Sequence, residues 1–265
     1  MLRLQKYWFM ILGVVFLMGC VRDPQKLSAR QTLDRMGVKF NVDNFLETAR
    51  MNNVNGIQLF LTAGMDVDEK DKSGNTALMA ASDRGGMEAV QYLLSRGANV
   101  NGRNYNRITV LMTALKSGFT DIAKLLMEKG ADAKAKSLQG ETPLYFASLV
   151  GDTTMVNLLL EKGAEVNIQD LAGQSPLLLA VWQGHYVVVR TLLEKGADVN
   201  HIDEKKESIL MIAAREGRVE IVKLLLQKGA DVHYKTKKRE TALKWAIEGK
   251  HPEVAQLLRQ TNATE

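Results

Sequence analysis

The 265-residue chain holds one cysteine, Cys20, so neither an intramolecular disulfide nor a cysteine-based metal site can form. Its four histidines, His185, His201, His233 and His251, offer no pair at metal-ligand spacing. There is no Gly-x-Ser-x-Gly elbow, phosphate loop or dinucleotide fingerprint; Ser175 precedes His185 by ten residues but stands in Gly173-Gln174-Ser175-Pro176. The chain is therefore expected to be no enzyme and to carry no metal or cofactor. Long apolar runs are scarce too. Tyr7 to Met18 is uncharged and broken only by Gly13, twelve residues where a helical membrane span needs about 20. The formal charge of +5 falls to +5 − 2 = +3 without Arg3 and Lys6, too mild to imply nucleic acid.

Residues 1–19 have the layout of an export signal, a basic start followed by the short apolar run. The run ends in Leu17-Met18-Gly19-Cys20, which resembles a bacterial lipobox. The resemblance implies acylation of Cys20, with Met18 bulkier than the usual residue, and Val21 in the next position suits the outer membrane. The expected location is the cell envelope, lipid-anchored and facing the periplasm. Residues 20–27, with Pro24, read as a tether, and residues 28–42 as a capping helix started by Ser28 and ended by Gly37.

From residue 43 to 261 one pattern recurs. Gly64, Gly97, Gly130, Gly163, Gly196 and Gly229 are each 33 residues apart, most closing a Leu-Leu-x-x-Gly-Ala-Asp-Val unit or a close variant. A fixed period of this length means a stacked array. Thr76, Thr109, Thr142, Ser175, Ser208 and Thr241 share the period and can cap helix starts; Pro143 and Pro176 fit the first helical position. Five residues later come Ala81, Ala114, Ala147, Ala180, Ala213 and Ala246, small enough for close helix approach, and then Gly85, Gly118, Gly151, Gly184 and Gly217.

The Thr-Pro-Leu start, these alanines and the Gly-Ala-Asp-Val close resemble the ankyrin-repeat family. The resemblance implies an all-α solenoid of about seven helix-turn-helix repeats joined by hairpin-like turns, the first and last acting as caps, with residues 262–265 a tail. The family's histidine after Thr-Pro-Leu is Met79, Met112, Tyr145, Leu178, Met211 or Lys244 here, so apolar packing is expected to replace its hydrogen bonds. His185, in the family's Gly-His position, is expected to be structural.

The resemblance also implies that specificity lies at turn tips and at the exposed ends of first helices. Tyr105, Ile108, Leu138, Leu149, Val150, Leu171 and Trp182 occupy such slots, flanked by Lys72 and Arg84 on one side and Lys205 and Arg215 on the other. Apolar anchors inside a charged rim make a protein-binding surface the expectation. Lys235, Lys237, Lys238 and Arg239 form the strongest local charge and read as a solvated loop, with anionic headgroups or an acidic partner as alternatives. The expected partner is another protein, such as a secreted phospholipase-type toxin that this chain, expected to be a monomer when free, would neutralise. A scaffold for an envelope enzyme is the competing expectation.

Overall fold

The computed structural model describes residues 23–261. The expected signal segment, Cys20 and the last four residues lie outside the described residues. Helix α1 (Pro24–Arg35) is followed by seven helix pairs: α2 (Val42–Arg50) with α3 (Val54–Thr62), α4 (Ala77–Asp83) with α5 (Met87–Ser95), and α6 (Val110–Lys116) with α7 (Thr120–Glu128). Next come α8 (Pro143–Val150) with α9 (Thr153–Glu161), α10 (Pro176–Gln183) with α11 (Tyr186–Glu194), α12 (Ile209–Arg215) with α13 (Val219–Gln227), and α14 (Ala242–Glu248) with α15 (Pro252–Gln260).

Helices of seven to nine residues are marginal alone in water. Stacking supplies what each lacks. First helices pack on first helices and second on second along the array, and one continuous apolar core runs from Ala29 to Leu258. The first helices are buried over most of their surface, which is why their alanines sit at zero exposure: Ala81, Ala114, Ala147, Ala180, Ala213 and Ala246. Each of the six Thr or Ser caps accepts the backbone N–H three residues on, at 3.1–3.4 Å. That bond satisfies one amide the helix cannot.

Helix α1 begins four residues before the expected Ser28 start. Asp23 is the cap, accepting from the Gln25 N–H at 3.0 Å, and Pro24 takes the first helical position, where its missing N–H costs nothing. Residues 24–27 are thus helix, and the tether is correspondingly shorter. Gly37 does adopt the left-handed conformation, with φ of 71°, and the Val38 N–H returns to the Leu33 carbonyl at 2.9 Å. The helix covers the first pair: Arg30 Nε donates to the Ala63 carbonyl at 3.0 Å and its guanidinium lies 4.4 Å from the Phe40 ring centre. Phe40 in turn stacks on Phe60 at 6.0 Å, and Phe45 meets Phe60 at 5.5 Å.

Candidate protein-binding surface

Six turns connect the repeats, and each is built on the oxygen of its first side chain. The Asp71 carboxylate accepts the N–H groups of Ser73 and Asn75, both at 2.8 Å. Asn104, Ser137 and Asp170 do the same for their turns at 2.8–3.2 Å. Asp203 and Thr236 hold the last two turns through Glu207 and Glu240. With the backbone so occupied, the second residue of each turn is pushed outward, and these residues are Lys72, Tyr105, Leu138, Leu171, Glu204 and Lys237. Neighbouring tips are linked: the N–H of Tyr105 donates to Ser73 O at 3.1 Å, Leu138 to Asn106 O at 2.9 Å, Leu171 to Gln139 O at 2.8 Å and Glu204 to Ala172 O at 3.3 Å.

The central tips are apolar and in water. Tyr105 is 63% exposed, Leu138 49% and Leu171 72%, values far above those of core side chains. Lys70 lies 5.9 Å from the Tyr105 ring centre while its ammonium donates to Arg103 O at 2.8 Å, so it supports the tyrosine from one side. Ile108 is different: it is half-buried and packs against the core, leaving little of it for a partner.

A second row runs along the ends of the first helices. Trp182 is exposed, and Leu149 and Val150 are half-exposed. Three carbonyls in this row are gripped by the next repeat: His185 Nε2 approaches Leu149 O at 3.1 Å, Arg218 donates to Trp182 O at 3.3 Å, and His251 Nε2 reaches Arg215 O at 2.9 Å. A carbonyl only accepts, so both imidazoles carry their proton on Nε2. His185 is therefore a brace for Leu149.

The rim residues divide. Arg215 forms ion pairs at 3.2 Å with both Glu207 and Glu216 and stacks 5.0 Å from the Trp245 ring centre, so much of its bonding capacity is used within the scaffold. Arg84 sits 3.9 Å from Asp83. Among the described residues, Lys72 and Lys205 have no ion pair.

At the family's histidine position, Met79, Met112, Leu178 and Met211 are buried, while two positions depart from apolar packing. Lys244 pairs with Glu248 at 3.7 Å, and the Tyr145 hydroxyl donates to Gln174 Oε1 at 3.3 Å. Burial, then the Asp170 and Glu141 carboxylates, push the Tyr145 hydroxyl up to about 12. Its folded value lies above the unfolded one, so its contribution to stability is complete below about pH 10 and is lost as the pH rises through about 12. Tyr145→Phe should flatten that limb of the stability curve. Thermal unfolding followed across this range checks it, and parallel falls for both proteins would remove Tyr145 from the account.

Seven large exposed apolar residues lie outside the expected surface: Leu27, Met36, Met51 and Ile247, together with Tyr186 and Val187 at the α10–α11 turn and Ile202 at the base of the fifth hairpin. Val187 and Ile202 fall in columns that are polar in the other repeats, such as Thr154 and Gln169, a contrast that column-by-column comparison exposes; the Tyr186 column also holds Met87 and Val219 and offers no such signal.

A ladder of short linked turns and helix ends, repeated at a fixed period, defines a repeat protein that presents an extended surface. The ankyrin-repeat family model matches three times, over residues 45–137, 130–203 and 198–264, and the chain belongs to that family. The crystal structure of the human ASB11 ankyrin repeat domain is similar to it, with a TM-score of 0.71 and 25% identity over 81% of this chain and 96% of that one. No curated protein matches the chain by sequence. Ankyrin repeats are a protein–protein interaction module, a scaffold type that is characteristically non-enzymatic.

Proposed function

We propose that this chain is an envelope-anchored binding protein, acylated at Cys20, whose tips and first-helix ends close over another exported protein. The observation that carries the reading is the exposed row Tyr105, Leu138 and Leu171 on consecutive linked turns, with Trp182 on the parallel row. Burying such side chains in an interface is favourable by about 25 cal/mol per Å² of apolar area, and aromatic anchors dominate interfaces of this kind. The lipobox-like Leu17-Met18-Gly19-Cys20 supports the anchoring, and the location that follows is the outer membrane, facing the periplasm. The most specific form of the proposal is an immunity protein that occludes an exported toxin, such as a phospholipase effector attacking the membrane where this chain resides.

Replacing Tyr105 and Trp182 together by Ala should lower partner affinity by about thirtyfold or more, with little change in thermal unfolding. Capture from an envelope extract, with mass spectrometry of what is retained, measures the first. Cells lacking the chain should also be sensitised to contact with sister cells. Retention of an envelope enzyme without such sensitivity would replace immunity by scaffolding. An equal loss of stability in the double variant would place both side chains in the scaffold instead of the interface.

A further inference from the structure

The two C-terminal hairpins carry a feature that the apolar rows do not explain. Lys205 and Lys206 on the fifth turn, and Lys235, Lys237, Lys238 and Arg239 on the sixth, are all exposed. In residues 202–207 and 235–240, Glu204 is the one exposed carboxylate, 3.9 Å from Lys206. Glu207 is engaged with Arg215, and Glu240 with the Thr236 hydroxyl at 3.4 Å. Among the described residues, the other five cations have no ion pair.

The two turns are held side by side. The Tyr234 hydroxyl donates to Lys206 O at 3.0 Å, and the Asp231 N–H to Asn200 Oδ1 at 2.8 Å. Lys206 and Arg239 also occupy the left-handed turn position, with φ of 67° and 61°, where the first, third and fourth turns have Gly74, Gly140 and Gly173. A side chain there costs about 1 kcal/mol relative to glycine. Ile202, 38% exposed, stands at the foot of the fifth hairpin among these charges.

We infer that this pair of hairpins docks on an anionic lipid surface. Cations on protruding tips, with a single exposed carboxylate between them, suit a broad plane of negative charge better than one discrete anion. Lysine, which dominates the set, acts as a point charge and lacks the bidentate fork that favours specific carboxylate recognition. Each basic side chain near an anionic bilayer strengthens binding about fivefold, and an apolar neighbour such as Ile202 adds contact at the headgroup boundary. The inference stands whether or not Cys20 is acylated. It assigns the C-terminal end of the tip row a membrane contact, beside the apolar tips that face protein.

The core is built from residues 29–258, so the chain from Val21 onward carries all of it. Its fold is verified by circular dichroism, and its binding is then measured by co-sedimentation with vesicles of phosphatidylglycerol and phosphatidylcholine, and with phosphatidylcholine alone. Binding should require phosphatidylglycerol and weaken as salt rises. Changing Lys235, Lys237, Lys238 and Arg239 to Gln should reduce it by more than about tenfold. Changing Arg96, Lys129, Lys162 and Lys195, exposed at the ends of the second helices, to Gln removes the same charge elsewhere and should leave it nearly unchanged. Equal losses from the two variants, or equal binding to both vesicle types, overturn the inference. Failure to bind either vesicle while poly-glutamate beads retain the chain also overturns it, and assigns the hairpins to an acidic polypeptide.

Discussion

Phe60→Ala should destabilise the N-terminal end of the array by about 3–5 kcal/mol, the range for deleting a buried aromatic side chain. Phe60 is 1% exposed and joins three layers: Phe40 beneath α1, Phe45 on α2 and its own helix α3. Removing it leaves a cavity that Arg30, already committed to Ala63 O and the Phe40 ring, has no means of filling. In a stacked array each repeat touches only its neighbours, so the loss should stay local. Hydrogen exchange should show α1 to α3 opening at lower free energy, with α10 to α13 close to wild type. Uniform loss of protection across all helices would mean that the array unfolds as one cooperative unit.

Gly151→Ala should cost about 2–3 kcal/mol, and Gly118→Ala only about 1 kcal/mol. The two glycines occupy the same repeat position with almost the same backbone, φ of 81° and 76°. Their surroundings differ. A Cβ at Gly151 would lie 2.6 Å from the His185 ring, whereas nothing comes within 4 Å of one at Gly118. The alanine strain is therefore common to both, and the displacement of His185 from Leu149 O belongs to Gly151 alone. Urea unfolding of the pair isolates that brace by difference. Identical midpoints for the two variants would show that His185 moves aside at no cost.

Most of the architecture could be read from the period, because a solenoid repeats its solution. Once Thr76 was a helix cap and Gly85 a helix end, five further repeats followed by addition of 33. What escaped were positions where another residue performs the glycine's role. Asn52 and Lys250 take the left-handed conformation in the Gly85 column, with φ of 55° and 60°. Asn52 also uses its side chain, accepting the Ala89 N–H at 2.8 Å at the start of α5, whose own cap residue is Gly86. Nothing in an isolated asparagine announces that bond. The start of α1 was legible in hindsight, since Asp23-Pro24 is a cap followed by a first-position proline. Ser28 suits the same capping role by residue type, but it lies inside the helix.

The candidate surface was legible in part for a related reason. Period places a residue at a tip, but its exposure depends on what the turn beneath it does. Tyr105 and Ile108 belong to one turn, and both are apolar; the Asn104 side chain directs the first outward while the second folds onto the core. Tyr186 and Val187 were hidden inside a run, Tyr186-Val187-Val188-Val189, whose last two members are buried.

The amide-to-carbonyl links between neighbouring tips have a consequence for how such a surface changes over time. Ser73, Asn106, Gln139 and Ala172 contribute only backbone oxygens to those links, and the tips contribute only backbone nitrogens. The spacing is thus independent of the lettering. Tyr105, Leu138 or Leu171 can be rewritten one at a time without moving its neighbours, so what the surface recognises can change in single, separable steps.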